Sequence, residues 1–378
     1  MVDRRQGTRR RKKKKSGNKV FRNVVIGIEA LVLVAVIVLL IFVFQATGDK
    51  KGISIIDIPE DKIIFNPVEP GKPGTDVTEV NNDYTTYAFF GVDARNGTLE
   101  KGTRTDTIMI CTIDKETGEV RLCSVYRDTL LNIGTMDNPS YQKCNAAYAY
   151  GGPEKAINML NQNLDLPIEK FITVGFDGVM KTVDAVNGVD IDIRQEEIKA
   201  LNDYQASMYS TETNPNLTTD FIPVEHTGMQ TLNGWQALAY CRIRYTQGGD
   251  FKRTERQRDV LTQIIAKAKK MDPSKAVKIC NDVFPLVATN FKLEKDIIPM
   301  AEDIGNYEIV ASSGFPFEDK VSTGMLGSKG DCVIPVDLVS NVEQLHEFLY
   351  PKVSDYTPSE TVRTISSDIK AEAAKYGK

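Results

Sequence analysis

Histidine is scarce in this sequence of 378 residues, which contains only His226 and His346. A Ser-His-Asp triad and a histidine-rich metal site both need histidine as base or ligand, so neither is expected. The sequence also contains no G-x-S-x-G, P-loop or H-E-x-x-H motif. The reactions that those motifs serve are therefore not indicated.

Cysteine is present at six positions, but no C-x-x-C pair exists that could hold zinc. Cys111, Cys123 and Cys241 stand in apolar runs where a valine or isoleucine would fit, which favours buried thiols over disulfides. Cys111 and Cys123 could face each other across a hairpin, and they would then be able to pair if oxidised. The sequence therefore predicts a fold that does not depend on disulfides.

Positive charge is confined to one end of the chain. Residues 1–23 contain eleven Lys and Arg residues and one acid, Asp3, whereas 36 basic and 50 acidic residues follow from position 24 onward. The body thus has a net charge of −14, which argues against binding of nucleic acid. The basic tail is best explained as a topology and anionic-lipid signal.

An apolar run of 21 residues, 24–44, separates the tail from the body. As a helix it would span roughly 30 Å, the thickness of a bilayer core. The preceding positive charges place the tail in the cytoplasm and the body outside the cell. A cleaved signal peptide is the alternative, although its apolar stretch would be shorter. We expect a single-pass membrane protein with a cytoplasmic tail (1–23), an anchor (24–44), a proline-rich extracellular linker (45–83), a catalytic domain (84–350) and a C-terminal tail (351–378).

Short apolar runs alternate with amphipathic stretches in the body. The pattern predicts strands at Tyr87–Val92, Thr107–Ile113, Val120–Val125, Phe171–Val174 and Val189–Ile193, the last after an Asn187-Gly188 turn. It predicts helices at Pro153–Asn163, Asp177–Val186, Leu232–Tyr240, Thr254–Lys270 and Pro273–Val287. We therefore expect a layered α-β-α domain with a central mixed β-sheet.

Charged residues cluster where these elements begin and end. Asp93 and Arg95 follow the first predicted strand, Arg104 and Asp106 precede the second, and Arg127 follows the third. A further set of arginines lies at the end of one predicted helix and the start of the next: Arg242, Arg244, Arg253 and Arg256. Converging guanidinium groups repel one another unless an anion lies between them, so the pattern favours a phosphate site over separate solvated ion pairs. Asp93 and Asp106 are carboxylates of the type that Mg²⁺ prefers, together with substrate phosphate.

These motifs and their order resemble the LytR-CpsA-Psr family over roughly residues 84–263. The matching pieces are Gly91-Val-Asp93, Arg104-Thr-Asp106-Thr107, Arg127-Asp128-Thr129, Lys143-Cys-Asn145, Asn187-Gly188-Val189, Tyr240-Cys-Arg242-Ile-Arg244 and Asp250-Phe-Lys-Arg253-Thr-Glu-Arg256-Gln257. Members are membrane-anchored enzymes that move a glycopolymer, such as teichoic acid or capsular polysaccharide, from undecaprenyl pyrophosphate onto peptidoglycan. The resemblance implies the same donor, acceptor and activity here.

The resemblance also assigns roles to particular residues. It implies a magnesium site at Asp93 and Asp106, with Mn²⁺ as an alternative ion, and it makes Asp93 the first candidate for the general base. Catalytic roles are implied for Asp93, Arg127, Arg242 and Arg244. Contacts to the pyrophosphate are implied for Arg95, Arg104, Arg127, Lys143, Arg242, Arg244, Asp250, Arg253, Arg256 and Gln257.

The lipid chain of such a donor would need an apolar cleft. The apolar faces of Ala156–Leu164, Phe176–Val186 and Val260–Ile265 could line it, or they could be ordinary core. Three other functions stay open at this point: a lipid-pyrophosphate hydrolase, a non-enzymatic lipid or glycan receptor, and a membrane-tied regulator. The receptor would not need the two aspartates, and the tail is too short to be a DNA-binding fold.

Overall fold

The structure, a computed structural model, covers the body of the chain with several gaps. It describes residues 54–67, 77–92, 99–211, 221–243, 286–292, 295–296 and 306–378, together with individual positions between 252 and 267. The predicted tail and anchor, 1–23 and 24–44, lie outside these ranges. Within the described ranges, no helix is both long enough and apolar enough to cross a bilayer.

The described elements alternate between strands and helices along the chain. The strands are β1 (Ser54–Ile55), β2 (Tyr84–Val92), β3 (Thr105–Asp114), β4 (Glu119–Val125), β5 (Leu130–Asn132), β6 (Tyr141–Lys143), β7 (Lys170–Gly175), β8 (Val189–Ile193), β9 (Gly228–Leu232), β10 (Val287–Thr289), β11 (Glu308–Phe315), β12 (Val321–Met325) and β13 (Asp331–Pro335). The α-helices are α1 (Val77–Asp83), α2 (Ala146–Leu164), α3 (Phe176–Ala185), α4 (Gln195–Thr211), α5 (Gly234–Arg242), α6 (Leu338–Leu349) and α7 (Glu360–Ala374).

Seven strands form a central mixed sheet in the order β1-β10-β7-β2-β3-β4-β11. Strand β2 is parallel to β7 and antiparallel to β3, and β3 is in turn antiparallel to β4. The carboxyl ends of β2, β4 and β7 therefore meet the amino end of β3 at one edge of the sheet. Residues just outside these four strand ends are brought together there, as the sequence pattern predicts.

The turn between β3 and β4 shows why these two strands pair. Asp114 Oδ1 accepts hydrogen bonds from the backbone N–H groups of Glu116 and Thr117, each at 3.0 Å, which closes an Asx turn. Gly118 follows with φ of +71°, and a Cβ atom there would lie 2.4 Å from the carbonyl oxygen of Asn306. Glycine is therefore required for both the backbone conformation and the close approach.

Helices cover both faces of the sheet. Phe90 and Ile110 on one face share a core with α2, α6 and α7 through Leu160, Leu345 and Ile365. On β7, Val174 points away from this core because strand side chains alternate, and a Cβ on Gly178 of α3 would lie 2.9 Å from its Cγ1 atom. Helix α3 thus lies on the opposite face, which confirms the predicted mixed sheet between helical layers.

A second core lies among α3, α4, α5 and the paired strands β8 and β9. Its buried members include Val183 of α3, Leu201 of α4 and Trp235 of α5. Asn233 caps α5 by accepting a hydrogen bond from the backbone N–H of Gln236, whose side chain bonds back to the Asn233 N–H. This core fixes the last turn of α5, where Arg242 lies.

Most predicted elements occur close to their expected bounds. The predicted strands correspond to β2, β3, β4, β7 and β8, and the Asn187-Gly188 turn has both residues at positive φ. Non-helical backbone at Gly151 and Gly152 divides α2 into two parts, and Pro153 opens the second part, as predicted. The helix predicted at Leu232–Tyr240 starts two residues later in the structure, at Gly234, because Leu232 belongs to β9.

The helix predicted at Pro273–Val287 is wrong at its end, since Val287 begins β10, and residues 273–285 lie outside the described ranges. The helix predicted at Thr254–Lys270 is helical at the positions that are described. The pattern did not predict α4, although this helix is 17 residues long.

Parts of the expected linker and C-terminal tail pack against the main core. Ile58 and Val80, from segments 54–67 and 77–92, are buried in it. At the other end of the chain, α7 buries Val362, Ile365 and Ile369 in the same core. Both segments therefore belong physically to the globular body.

The structure excludes the alternative that Cys111 and Cys123 face each other across the hairpin. Across the β3–β4 ladder, Ile110 pairs with Cys123 and Cys111 pairs with Leu122. Adjacent positions on a strand face opposite sides of the sheet, so the two sulfurs are separated by it. All five described cysteines are buried and free, as expected from their apolar contexts.

Candidate active site

The site is built at the sheet edge where three strands end and β3 begins. Asp106 is the second residue of β3, and Arg127 follows the last residue of β4 by two positions. The antiparallel pairing of β3 with β4 brings them together, and Arg127 Nη1 donates a short hydrogen bond to Asp106 Oδ1. A charge-assisted bond of this kind fixes the plane of the guanidinium group.

A chain of ion pairs continues from Arg127 away from Asp106. The Nε atom of Arg127 lies 3.6 Å from Asp128 Oδ2, and Lys143 Nζ at the end of β6 lies 3.3 Å from Asp128 Oδ1. The backbone supports the arrangement, because the N–H of Asn145 donates to the Arg127 carbonyl at 3.1 Å. Asp128 thus connects two of the cations that the sequence assigned to the site.

Arg242 enters the site from the last residue of α5. Its guanidinium carbon lies 5.4 Å from the ring centre of Phe176 and 5.8 Å from that of Tyr204. Phe176 is the first residue of α3, directly after β7, and Tyr204 belongs to α4. The two rings hold the cation by cation–π contacts while leaving its N–H groups able to bind an anion.

The helical segment after residue 251 contributes Arg253 and Gln257. Arg253, which is 3% exposed, directs Nη2 to the backbone carbonyl of Asp106 at 3.5 Å. Gln257 accepts a hydrogen bond from Thr107 Oγ1 and donates one through Nε2 to the Cys241 carbonyl, both at 3.4 Å. These contacts join β3, α5 and this segment around one space.

That space is a cavity of about 150 Å³. Two cations and one carboxylate reach it, and an apolar and aromatic wall faces them. The lining residues are Asp106, Phe176, Tyr204, Leu238, Cys241, Arg242, Arg253 and Gln257. Burial raises the pKa of the Cys241 thiol to about 12, so the sulfur is neutral and does not act as a nucleophile.

The other predicted site residues are placed as follows. Arg104 is exposed just before β3, and Arg256 is buried and is not among the residues lining the cavity. Four predicted residues lie outside the described ranges: Asp93, Arg95, Arg244 and Asp250. The structure therefore brings together Asp106, Arg127, Lys143, Arg242, Arg253 and Gln257.

Among the described residues of the apolar faces expected to line a cleft, Phe176 at the start of α3 lines the cavity. Residues Ala156, Ile157 and Leu160 of α2 belong to the main core, and Val260 and Ile264 to the core around α5. The ordinary-core interpretation holds for these described residues. Leu238 and Tyr204 complete the apolar wall instead.

The described residues near the cavity are compatible with Mg²⁺ but do not form a complete coordination shell for it. No group of three or more His, Cys, Asp or Glu side chains that could hold a metal occurs among the described residues. Mg²⁺ commonly takes one or two carboxylates and completes its shell with water and substrate phosphate. The carboxylate of Asp106 at the cavity wall suits that mode of binding.

Sequence reasoning missed Asp128 and Tyr204. Asp128 directly follows Arg127 in a motif, and an acid beside a site arginine was a usable signal. Tyr204 could not be found in this way, because its helix α4 was not predicted. Its part in the site follows only from the packing of α4 against α5.

The fold and site define an α/β protein with a cation-lined, half-apolar cavity at the edge of its sheet. The chain belongs to the LytR_cpsA_psr family, whose model matches residues 59–329.

The curated relatives differ in how they are named. Biofilm regulatory protein A of Streptococcus mutans is 31% identical over 221 residues, which are 56% of this chain and 51% of that protein. The polyisoprenyl-teichoic acid–peptidoglycan teichoic acid transferase TagT of Bacillus subtilis is 24% identical over 316 residues, covering 82% and 90%. The chain thus spans about half of the first relative and most of the second.

A solved structure of TagT with bound octaprenyl pyrophosphate lipid has the same fold. It is 19% identical, with a TM-score of 0.51 over 78% of this chain and 99% of that one.

Proposed function

We propose that this protein is a transferase that moves a glycopolymer from a polyprenyl-pyrophosphate carrier, undecaprenyl pyrophosphate, onto peptidoglycan. The observation that carries the proposal is the composition of the cavity, which joins Arg242 and Arg253 to the apolar wall of Phe176 and Leu238. A lipid pyrophosphate carries an anionic head group next to an apolar chain, so its two parts complement the arginines and the apolar wall. The name of TagT and its structure with a prenyl pyrophosphate support this choice.

In the proposed reaction, the hydroxyl of a peptidoglycan sugar attacks the phosphorus atom that bears the glycopolymer. A new P–O bond forms, the bond to the lipid phosphate breaks, and lipid monophosphate leaves with the bonding electron pair. Arg242 and Arg253 bind the phosphate oxygens on which charge accumulates. Arg127, oriented by Asp106, adds a third cation behind them.

Asp106 with Asp93 would hold Mg²⁺ or Mn²⁺. Such an ion would supply charge neutralisation for the leaving lipid phosphate. The proton of the attacking hydroxyl goes to a carboxylate, with Asp93 as the first candidate. Neither described histidine enters the cavity, since His226 is exposed and His346 is buried against Leu164.

The test uses the full chain in detergent with a polyprenyl-pyrophosphate donor carrying a labelled glycopolymer, with and without peptidoglycan. We expect label on peptidoglycan and release of lipid monophosphate only when the acceptor is present. Release of the polymer without acceptor would identify a hydrolase instead. Binding of the donor without any product would identify a receptor.

Arg242→Ala should reduce transfer strongly, because a charge-assisted phosphate contact contributes about 1.5–3 kcal/mol. Arg363→Ala on α7 is the matched control, since this arginine is paired only loosely with Glu360 at 4.0 Å. Equal transfer by both variants would reject the arginine contact.

A further inference from the structure

Arg256 and Glu197 form a buried ion pair beside the cavity. Arg256 Nε donates to Glu197 Oε1 at 2.8 Å, and the two side chains are 4% and 2% exposed. Neither residue lines the cavity. A buried ion pair is weak evidence of a contribution to stability, because desolvation of both charges opposes their attraction. Its position in the fold indicates a different use.

The pair joins the start of one helix to the end of another. Glu197 lies in the first turn of α4, where its Oε2 atom accepts the backbone N–H of Arg194 at 2.9 Å. Arg256 extends the contact by donating through Nη1 to the carbonyl of Ile243 at 3.1 Å. Ile243 is the residue that terminates α5, directly after Arg242.

The end of α5 is held by two neighbouring residues of the following segment. The last carbonyl groups of a helix have no partner within it and are stabilised by donors and positive charge. Here Gln257 binds the Cys241 carbonyl and Arg256 binds the Ile243 carbonyl. The carbonyls on both sides of Arg242 are therefore fixed in space.

Arg242 itself is held on its outer side by Phe176 and Tyr204, and Tyr204 belongs to the same helix as Glu197. The guanidinium carbon of Arg256 also lies 5.9 Å from the ring centre of Tyr240, two residues before Arg242 in α5. The backbone next to Arg242 is thus held through Arg256, which is paired with Glu197 of α4, and its side chain is held by Tyr204 of the same helix. A shift of α4 relative to α5 would move the cation in the cavity.

We infer that Glu197 and Arg256 are positioning residues, which set Arg242 for the pyrophosphate group rather than contacting the donor. This rests on the proposed function and deepens it, because it predicts a preference for two phosphates over one. The proposal assigns a single phosphate group to Arg253. A pyrophosphate also needs Arg242 at a fixed distance from Arg253.

The decisive variant is Glu197→Gln. If Arg256 contacted the donor, loss of its carboxylate partner would leave lipid-pyrophosphate affinity unchanged or higher, because a negative charge near an anion has been removed. If the pair positions Arg242, affinity for octaprenyl pyrophosphate falls roughly ten-fold while that for octaprenyl monophosphate changes little, since a lost charge-assisted contact is of this size. Glu196→Gln removes the same charge at the adjacent exposed position and should change neither affinity.

Binding of both lipids to the full chain in detergent is measured by titration, with the Tm recorded for each variant. Glu197→Gln leaves the buried charge of Arg256 without an anionic partner, which could destabilise the fold. A double variant, Glu197→Leu with Arg256→Met, removes both charges and serves as the comparison. Apolar replacement of a buried ion pair is often neutral for stability. We expect the double variant to keep its Tm within a few degrees and to lose the preference for pyrophosphate.

The outcomes distinguish failure of the proposed function from failure of the positioning role. If the wild-type chain does not prefer the pyrophosphate lipid, the proposed function fails and the positioning role fails with it. If the wild type shows the preference and both variants keep it, only the positioning role is overturned. An equal loss of affinity for both lipids would also overturn the positioning role, because this result would indicate general damage to the cavity.

Discussion

The guanidinium group of Arg127 lies between two carboxylates, those of Asp106 and Asp128. Together with Lys143, Arg242 and Arg253, the described part of the site holds four cations and two carboxylates, an excess of two positive charges. A glycosylated prenyl pyrophosphate is a diester with two negative charges. The net charge of these described residues is therefore opposite in sign and equal in size to that of one such donor head group.

The first prediction concerns Asp106→Asn, which keeps the size of the side chain but removes its charge. Transfer should fall sharply, because a hard divalent cation depends on anionic ligands. Binding of octaprenyl pyrophosphate should survive in part, since the contacts of Arg242 and Arg253 do not pass through the metal. Donor affinity and transfer rate are measured with Mg²⁺ and with chelator.

Asp319→Asn is the control, because Asp319 is exposed and lies on a separate turn before β12. Undiminished transfer by the wild-type chain in chelator would show that the arginines alone stabilise the leaving phosphate. The metal part of the proposal would then be wrong.

At the level of single residues, the sequence predicts charge better than it predicts geometry. Asp106, Arg127 and Arg242 could be found because charged residues stood at the ends of predicted elements. The pairing of Glu197 with Arg256 could not, because an acid in the first turn of a helix is common and 59 residues separate the two. Such a pair depends on how two helices meet, which no local pattern encodes.

At the scale of elements, helix α7 belongs to the body of the fold. Its residues Val362, Ile365 and Ile369 are each buried to 1% exposure or less, and Ser359 caps it by accepting the backbone N–H of Val362. Asp165, at the end of α2, accepts hydrogen bonds from both the N–H and the hydroxyl of Ser359, at 2.8 and 2.7 Å. The start of α7 is thus tied directly to the end of α2.

The second prediction follows from this burial. Ile365→Ala should lower the free energy of unfolding by about 2–5 kcal/mol, the usual cost of truncating a large buried aliphatic side chain. Ser367→Ala, at an exposed position of the same helix, should change it by less than about 0.5 kcal/mol. Chemical denaturation of the two variants tests this. Equal stability would mean that α7 is a dispensable appendage.

The third prediction concerns His346 on α6. Its Nε2 atom lies 2.9 Å from the Leu164 carbonyl and its ring stacks on Tyr356 at 3.5 Å between centres. Burial is the main cause that lowers the pKa of His346 to about 4. The unfolded chain, with a histidine pKa near 6.5, binds the proton first as the pH falls.

Stability should therefore decrease between about pH 6.5 and pH 4, because the unfolded state holds more protons throughout that window. The unfolding free energy of the wild type is compared with His346→Gln at pH 7 and at pH 5. We expect the variant to show a smaller decrease and the exposed control His226→Gln to follow the wild type. Identical pH dependence in all three proteins would contradict the assignment.

The strands with β-branched runs were the most predictable elements, for a physical reason. Runs such as Phe171–Val174 and Val189–Ile193 combine β-branched residues with clear turn signals, and both occur as strands. The short strand β10 and helix α4 were missed, and no element was predicted after residue 287, where β11, β12, β13, α6 and α7 lie. Strand β10 has only three residues, and α4 carries polar residues around much of its surface, so its burial depends on partners distant in sequence.

At the scale of the whole molecule, charge separates the chain into a basic N-terminal tail and an acidic body. Eleven basic residues precede the apolar run 24–44, and the remainder has a net charge of −14. We propose that the tail stays in the cytoplasm and the body lies outside, since positive flanking charge opposes translocation. The five described cysteines fit an external body without disulfides because each is buried.

The fourth prediction tests this orientation. Cells carrying the chain with one epitope tag at each end are stripped of their wall and treated with protease while the membrane is intact. The C-terminal tag should disappear, and the N-terminal tag should remain on a fragment containing the basic tail and the anchor. Detergent added before the protease is the control, because it should expose both tags. Loss of the N-terminal tag from intact cells would reverse the orientation, and it would place the cavity on the wrong side of the membrane for contact with peptidoglycan.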